Sequence, residues 1–358
     1  MKKQNISGFA TKIAKMCDRK RQFPINGQLE LTYRCNLNCI HCYCKEMENK
    51  GKELNTKQWK KIIDELQKEG CLDLCFTGGD PLIRKDFLEI YAYAKAKGFL
   101  ITILTNGTLF TKKLISYLQK SPPFSIEITL NGITEATYER ITQIPGSFDK
   151  VMDIIDKLSK KNFHLVLKSN CLKENKDQIG KVKAFTHQLF GRDKKRFKYG
   201  PFIFPRLNGD KAPCDHRLSP EELLKIRHSD SDMWQEYKKD LCEALPKLKR
   251  EKDYLYHCNS WMTNFFITPY GRLKFCALTD NFSTDLKKEK FREGFYNIFP
   301  RLLYEKFKTK SECRNCRLRP VCYQCPGRAY LETGDEEAPV QYYCKLAKAI
   351  LKDKHSFN

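Results

Sequence analysis

The stretch QLELTYRCNLNCIHCYC, residues 28–44, joins a predicted strand to a dense group of cysteines. Residues 28–34 have the apolar and polar pattern of a β-strand. The thiols that follow belong to Cys35, Cys39, Cys42 and Cys44. Zinc, disulfides and an iron–sulfur cluster are three explanations for such a group, and the choice among them decides what kind of protein this is.

Strand and helix patterns alternate downstream of this stretch. Strands are predicted at 28–34, 72–76, 99–107, 124–132, 163–170 and 196–204. Helices are predicted at 53–70, 84–98, 111–120, 146–162 and 175–190, the first with Thr56 as its N-cap. This alternation indicates βαβ units and a parallel sheet. Because six units are too few for a closed eight-stranded barrel, we predict an α/β fold built on a partial (β/α)6 parallel barrel.

The predicted barrel is followed by a small cysteine-rich domain with a β-hairpin and helices. The predicted segments are a basic N-terminal segment at 1–27, the barrel at 28–205, a helical linker at 206–257 and the cysteine-rich domain at 258–358. A helix is expected to begin at Pro220, and NFFITPYGRLKFC (264–276) is expected to form the hairpin. From Cys258 onward, hydrophobic periodicity is too sparse to hold the chain together without metal.

Composition limits the possible classes of protein. The chain has 358 residues and 17 cysteines, and no apolar run approaches the roughly 20 residues that span a bilayer. Its start lacks an export signal, so we predict a cytoplasmic protein without a membrane partner. Reduced, clustered thiols in that compartment more often bind metal or catalyse than form disulfides. The net charge is +23, but the lysines are scattered, so a nucleic-acid partner is not expected.

The first cysteine group has the spacing C-x3-C-x2-C. The thiolates of Cys35, Cys39 and Cys42 are an incomplete set for tetrahedral zinc, but they suit a [4Fe–4S] cube that keeps one iron free for a small molecule. In its place after the first strand, and followed by the aromatic Tyr43, this spacing resembles the signature of the radical S-adenosylmethionine (SAM) superfamily. The resemblance extends from about residue 28 to 350, and Cys44 is predicted to be an ordinary thiol.

Later loops resemble the SAM-binding loops of the same family. TGGDP (77–81) is similar to its Gly-Gly-acidic loop, and TLNG (129–132) is similar to a stretch at the end of its fourth strand. The resemblance implies that SAM is contacted by Tyr43, Gly78, Gly79, Asp80, Thr129, Asn131, Ser169 and Asn170. Ordinary turn chemistry is the alternative explanation for each loop.

The C-terminal cysteines resemble the SPASM extension of radical SAM maturases, apart from Cys322-x2-Cys325, where that family usually has three intervening residues. The resemblance implies two auxiliary [4Fe–4S] clusters, and therefore three clusters in the chain. The first auxiliary cluster would be held by Cys258, Cys276 and Cys325, and the second by Cys313, Cys316, Cys322 and Cys344. Either another residue, such as Cys214 or Cys242, completes the first cluster, or one of its irons stays open and could bind a substrate thiolate. A pair of zinc knuckles is the alternative.

The resemblance implies an enzyme that cleaves SAM reductively to a 5′-deoxyadenosyl radical and abstracts hydrogen from a peptide or protein. The expected product is a cross-link or related modification in a ribosomally made peptide. An electron donor such as flavodoxin or ferredoxin, and a separate leader-binding protein, are the implied partners. FPRLNGD (204–210) resembles a stretch of peptide-modifying members, and Asp280 and Tyr270 are the candidate catalytic residues.

Two other functions remain open at this point. One is a radical SAM enzyme that acts on a small molecule, either a tetrapyrrole side chain or a sugar alcohol. The other is a zinc-stabilised, basic nucleic-acid-binding protein. The cysteines outside both groups, Cys71, Cys75 and Cys171, are predicted to be buried core thiols.

Overall fold

The strands and helices come from a computed structural model that describes residues 22–47, 51–244 and 253–353. In chain order they are β1 (Asn26–Thr32), α1 (Thr56–Lys68), β2 (Asp73–Gly78), α2 (Phe87–Ala96), β3 (Leu100–Thr105), α3 (Lys112–Lys120), β4 (Ser125–Thr129), α4 (Glu135–Thr142), α5 (Ser147–Ser159), β5 (Leu165–Asn170), α6 (Ile179–Phe190), β6 (Phe197–Gly200), α7 (Pro220–His228), α8 (Ser231–Ala244), β7 (Asn264–Ile267), β8 (Arg272–Lys274), β9 (Thr284–Asp285), α9 (Pro326–Thr333) and α10 (Gln341–Lys352). Within the described ranges, no helix is long and apolar enough to cross a membrane.

The predicted alternation of strands and helices is present from β1 to β6, so the α/β class with parallel βα units is confirmed. The pattern missed α4. The N-cap of α1 was also predicted wrongly. Asn55 takes that position, because its side chain accepts a hydrogen bond from Gln58 N at 3.0 Å and Gln58 Oε1 accepts one from Asn55 N at 2.9 Å. This reciprocal capping box satisfies two backbone donors that Thr56 would leave open.

The chain divides into two compact units, each built from several segments. Among the described residues, the first unit contains 22–34, 51–104 and 258–304, and the second contains 35–47, 105–244, 253–257 and 305–353. The strand order within the first unit is β3-β2-β1-β7-β8-β9. The boundaries predicted from sequence follow the order of the chain rather than these units, and they remain a prediction.

The predicted hairpin forms from β7 and β8, which pair antiparallel. Its turn closes where Thr268 N donates to Arg272 O at 2.9 Å, and Gly271 adopts a left-handed φ of 87° there. On its other side β7 pairs parallel with β1, with Asn26 opposite Asn264. The hairpin therefore extends the sheet that β1 begins, although it was predicted as part of a separate C-terminal domain.

In the second unit, β4, β5 and β6 form a parallel sheet with one apolar and one polar face. Alternate residues such as Ile128 and Leu167 are fully buried. On the opposite face, Glu127 lies 2.5 Å from Lys198 Nζ and 3.4 Å from Lys168 Nζ. Burial alone would raise the pKa of Glu127, but the two lysines hold it below its ordinary value.

The predicted core thiols behave differently from one another. Cys71 and Cys171 are buried, as expected. Cys75 is only half-buried, so that prediction is wrong. It lies on the face of β2 opposite to the fully buried Leu74 and Phe76, because neighbouring strand residues point to opposite faces.

The ends of β1 and β2 approach each other so closely that two glycines are required. A Cβ on Gly78 would lie 2.1 Å from Thr32 O, and the φ of this glycine is 126°. A Cβ on Gly79 would lie 2.4 Å from Arg34 O and 2.5 Å from Tyr33 O. Backbone atoms cannot swing aside as a flexible side chain can, so both positions exclude larger residues.

A buried arginine, Arg84, stabilises the same end of β1 through side-chain hydrogen bonds. Arg84 Nη1 donates to Leu31 O at 2.9 Å, and its Nη2 donates to Leu54 O at 3.1 Å and to Asp86 Oδ2 at 2.7 Å. One guanidinium thus satisfies two backbone carbonyls and is itself neutralised by a carboxylate. The point where β1 leads into the cysteine loop is therefore fixed by glycine packing and by this arginine.

Substituting Gly79 by alanine should destabilise the metal-free protein by about 1–3 kcal/mol, because the new methyl group collides with the Tyr33 and Arg34 carbonyls. Gly180 in α6 is the matched control, since a Cβ there meets nothing within 4 Å. Gly180→Ala should be neutral or stabilising by about 0.4–1 kcal/mol. Thermal unfolding of both variants checks this, and equal melting temperatures would contradict the close-packing argument.

Candidate cofactor site

The cysteine loop, residues 35–47, belongs to the second unit and is anchored on the end of α4. Asn38 N donates to Thr142 O, and Ile40 N donates to Ile141 O, both at 3.0 Å. The Ile40 side chain packs against a buried apolar cluster that includes Ile141. The last carbonyls of a helix lack intrahelical partners. The loop therefore donates its hydrogen bonds to carbonyls that have no partner within α4.

An asparagine after β3 braces the first cysteine. Asn106 Nδ2 donates to Asn36 Oδ1 at 2.9 Å and to Cys35 Sγ at 3.6 Å. Asn36 in turn donates to Thr108 Oγ1 at 2.8 Å. Sequence reasoning did not single out Asn106. Its position at the end of the strand predicted at 99–107, where the other candidate loops also follow strand ends, was the signal that could have found it.

A histidine between Cys39 and Cys42 was also missed. His41 Nε2 lies 3.1 Å from Asn170 Nδ2 and 3.4 Å from Asn131 Nδ2. Burial lowers the pKa of His41 to about 4, so the ring is neutral near pH 7 and Nε2 can accept from both amides. Its Nδ1 is buried without a hydrogen-bond partner. A lone histidine in a cysteine spacing carries no signal of its own, so only the fold revealed this contact.

Two of the expected SAM contacts are linked by a third asparagine. Asn131 Oδ1 accepts from Asn170 N at 2.8 Å, and Asn175 Nδ2 donates to the carbonyls of both residues at 2.8 Å. Thr129 is half-buried at the end of β4. Ser169 is buried and its Oγ has no partner, but strand alternation points it to the face opposite Asn170. The structure thus groups Asn131 with Asn170 and His41, and sets Ser169 apart.

In the first unit, Asp80 stabilises a turn through its side chain and its backbone N–H. Its side chain accepts from Leu82 N at 2.9 Å and caps the short helical turn Pro81–Ile83, while its own N donates to Arg34 O at 3.0 Å. The carboxylate is fully buried. Gly78 and Gly79 are explained by the β1 backbone that they touch. A SAM contact from any of the three stays a prediction.

The pKa values of two loop thiols depend on the cysteines around them. Burial raises the pKa of Cys39, and the neighbouring Cys42 and Cys35 raise it further. A hydrogen bond from Cys44 is the main cause that lowers the pKa of Cys42 to about 7. Cys44, predicted to be an ordinary thiol, is therefore a buried partner of Cys42. A thiol whose pKa is raised in this way becomes a thiolate more readily beside a positive centre, which a bound iron cluster would supply.

A second group of thiols lies in the second unit. Burial raises the pKa of Cys322 to about 11, and Cys344, Cys313 and Cys316 raise it further. The structure therefore brings together the four cysteines expected to share a cluster. Of the other three, Cys258 and Cys276 belong to the first unit and Cys325 to the second. In the described ranges, no three His, Cys, Asp or Glu side chains are arranged to hold a single metal ion.

The two possible extra ligands for the first auxiliary cluster lie in the second unit. Cys214 is half-buried, and burial raises the pKa of its thiol to about 11. The side chain of Cys242 lies outside the described part of the chain. The fourth ligand of that cluster is therefore still open.

The FPRLNGD segment holds the far end of the cysteine loop. Leu207 N donates to Tyr43 O at 2.9 Å. Arg206 Nη1 bonds Glu46 Oε1 at 2.6 Å and Asp210 Oδ2 at 2.5 Å. Tyr43 is half-buried, and its role in SAM binding stays a prediction. The FPRLNGD segment therefore helps to fix the position of the loop that carries the cysteines.

The candidate catalytic residues lie in the first unit. The Tyr270 ring packs edge-on against Tyr33, with centroids 5.8 Å apart. Asp280 has a side chain that is 78% exposed and lies 3.0 Å from Lys274 Nζ. An exposed, ion-paired carboxylate lacks the buried setting that tunes a catalytic base. Neither assignment is tested by this arrangement, and both remain predictions.

Residues 29–185 match the radical SAM superfamily. An AdoMet-dependent heme synthase from Methanosarcina barkeri is 28% identical over 337 residues, which cover 88% of this chain and 94% of that protein. The mycofactocin maturase MftC from Mycolicibacterium smegmatis is 32% identical over 152 residues, or 42% of this chain and 38% of the maturase. The chain thus matches little more than a third of that relative's length.

Solved structures support the fold. Streptococcus suis SuiB, bound to S-adenosylmethionine in one crystal structure and to the precursor peptide SuiA in another, superimposes with a TM-score of 0.67 at 16% identity. The match covers 94% of this chain and 81% or 78% of the two SuiB chains. At that identity the likeness concerns architecture alone, and it agrees with the predicted partial barrel. By this family match, residues 29–185 of the chain form a radical SAM domain, in agreement with the resemblance seen in the cysteine spacing.

Proposed function

We propose that Cys35, Cys39 and Cys42 hold the cluster at which SAM is cleaved, and that the enzyme abstracts hydrogen from a peptide or protein. As a radical SAM enzyme, the chain uses a [4Fe–4S] cluster and S-adenosylmethionine. One observation carries the residue assignment. The C-x3-C-x2-C loop follows the carboxyl end of β1, and Cys35 and Cys42 lie near enough to Cys39 for their charges to raise its pKa. The carboxyl ends of parallel strands are where ligands bind in such folds.

A [4Fe–4S] cluster held by Cys35, Cys39 and Cys42 would supply the one-electron reduction that cleaves SAM to methionine and the 5′-deoxyadenosyl radical. The protein's part is orientation. Asn106 and α4 fix the loop that carries Cys35 and Cys39. His41 lies between the side-chain amides of Asn131 and Asn170, so polar groups line this side of the loop. These contacts fit a site that must bind SAM in one pose.

The auxiliary clusters extend this proposal. Cys313, Cys316, Cys322 and Cys344 would hold one, supported by the charges of neighbouring cysteines, Cys316 among them, which raise the pKa values of Cys313, Cys322 and Cys344. Cys258, Cys276 and Cys325 would hold part of the other. Three cubes in all are proposed. Four thiolates complete a [4Fe–4S] cube, so only the second set is complete from sequence.

A peptide or protein substrate is favoured by the maturase relative and by the precursor peptide bound to the similarly folded SuiB. We propose a cross-link or related modification of a ribosomally made peptide. An electron donor such as flavodoxin or ferredoxin, a separate leader-binding protein and a cytoplasmic location belong to the same proposal. The net charge of +23 suits an acidic leader sequence.

A tetrapyrrole is the second candidate substrate. One observation favours it. The relative that aligns over 94% of its own length is a heme synthase, whereas the maturase match covers only 38% of the maturase. The alignment with the heme synthase covers 88% of this chain, so it extends well beyond the part that every radical SAM enzyme shares. The two candidates have to be separated by experiment.

Replacing Cys35, Cys39 and Cys42 together by alanine should abolish SAM cleavage, because the proposed SAM-binding cluster loses all its ligands. Iron in the anaerobically reconstituted protein should fall from about twelve to about eight atoms per chain. Iron analysis and the yield of 5′-deoxyadenosine with dithionite measure the two effects.

Cys71→Ala is the matched control, since Cys71 is a buried thiol outside the proposed sets. It should keep both the iron and the cleavage activity. A triple variant that still forms 5′-deoxyadenosine would exclude these cysteines as the ligands. A wild-type protein that binds zinc and no iron would overturn the proposed chemistry as a whole.

Two separate assays, one with a peptide and one with a porphyrin, distinguish the two substrate classes. The enzyme should modify a short peptide encoded beside its gene, with a mass decrease that corresponds to lost hydrogen, and it should leave an iron porphyrin with propionate side chains unchanged. Mass spectrometry of both mixtures, with the triple cysteine variant as the blank, makes the comparison. Conversion of the porphyrin alone would reverse the order of the two candidates.

A further inference from the structure

The two-residue gap between Cys322 and Cys325 contains a glutamine that touches another cysteine. Gln324 Nε2 lies 3.3 Å from Cys313 Sγ and 2.9 Å from Ala338 O. Gln324 Oε1 accepts a hydrogen bond from Val340 N at 2.7 Å. All of these residues belong to the second unit, and this is the gap at which the chain departs from the usual SPASM spacing.

The backbone partners determine which way the Gln324 amide faces. A backbone N–H can only donate, so the atom next to Val340 N must be the amide oxygen. A carbonyl can only accept, so the atom next to Ala338 O must be the amide nitrogen. One amide hydrogen is used by Ala338, and the other is directed at Cys313 Sγ. The N–H···S contact therefore follows from the network rather than from a choice of rotamer.

The neighbouring side chain keeps this short link in place. Tyr323 packs its ring against Phe202 with centroids 4.7 Å apart. Cys322 and Tyr323 also pack against a buried apolar cluster that includes Val340, the residue that donates to Gln324. A donor whose backbone and amide are both fixed keeps its direction when charge develops on the acceptor.

A positive charge lies close to the same sulfurs. Arg319 donates to Tyr254 O at 2.9 Å, and its guanidinium lies over the Phe307 ring. Burial lowers the pKa of Arg319, and the nearby Cys313, Cys316 and Cys322 oppose that shift. Burial likewise raises the pKa of Cys313, while hydrogen bonds from Ser311 and Gln324 act to lower it. The amide hydrogen of Gln324 and the charge of Arg319 therefore both favour electron density on these sulfurs, against the effect of burial.

We propose that Gln324 is a hydrogen-bond donor to Cys313 that raises the reduction potential of the cluster held by Cys313, Cys316, Cys322 and Cys344. This rests on the auxiliary cluster in the proposed function. Reduction adds an electron whose charge is shared with the ligand sulfurs, so a fixed donor stabilises the reduced form more than the oxidised form. Gln324 acts through Cys313 and is a positioning residue, not a ligand.

The test uses the full-length chain with the other clusters removed. The parent carries alanine at Cys35, Cys39, Cys42, Cys258 and Cys276, and it should bind about four irons. Gln324→Met removes the donor and keeps the length of the side chain. Gln178→Met is the matched control, because Gln178 bridges Ile133 N, Thr134 and Thr137 in a similar way without touching a thiol.

Redox titrations followed by electron paramagnetic resonance give the cluster's midpoint potential. We expect Gln324→Met to move the midpoint to more negative values and Gln178→Met to leave it unchanged. Pulsed measurements in deuterated buffer should show an exchangeable proton coupled to the cluster in the parent and not in Gln324→Met. Gln324→Glu keeps the acceptor for Val340 and removes the donor, so it should also lower the midpoint if the methionine variant does not fold.

The outcomes separate the two levels of the proposal. A parent that binds no iron overturns the ligand set and the inference together. A parent that binds iron, with the same midpoint in both Gln324 variants, overturns the role of Gln324 and leaves the ligand set intact. An equal shift in Gln178→Met would show that any lost amide bridge has this effect, and it would also reject the inference.

Discussion

The candidate SAM site depends on the close approach of the ends of β1 and β2. Gly78 and Gly79 lie against the carbonyls of Thr32, Tyr33 and Arg34, at distances that no Cβ tolerates. This contact determines the direction in which the chain leaves β1, immediately before the first cysteine. Glycine is needed here because backbone meets backbone, and neither side can yield.

The cysteine loop itself is held by groups from distant parts of the sequence. The end of α4 accepts its backbone N–H groups, Asn106 bonds Cys35, and Leu207 bonds Tyr43. Each of these hydrogen bonds is worth about 1 kcal/mol in net terms. Together they hold the loop in one conformation. A bound cluster would need its ligand thiols at such fixed positions.

Local pattern was enough for the strands and most helices, because periodicity and turn residues act over a few positions. It failed at single positions, some of them decided by near neighbours and others by remote partners. The N-cap of α1 moved from Thr56 to Asn55 because Gln58 completes a capping box. Cys75 was expected in the core, but the pairing of β2 turns it to the less buried face. The amide contacts of His41 join residues more than 80 positions apart, so no local signal marks them.

The sequence by itself indicated the chemistry of the chain, since the cysteine spacing leaves few metal centres to consider. It also determined the α/β class through the alternation of strands and helices. The tertiary structure decided which groups stand beside which sulfur. Asn106 donates a hydrogen bond to Cys35, and Cys44 lowers the pKa of Cys42 through a hydrogen bond. The Gln324 amide is directed at Cys313 by its hydrogen bonds to Ala338 and Val340. Hydrogen bonds depend on distance and direction in space, and spacing along a chain records neither.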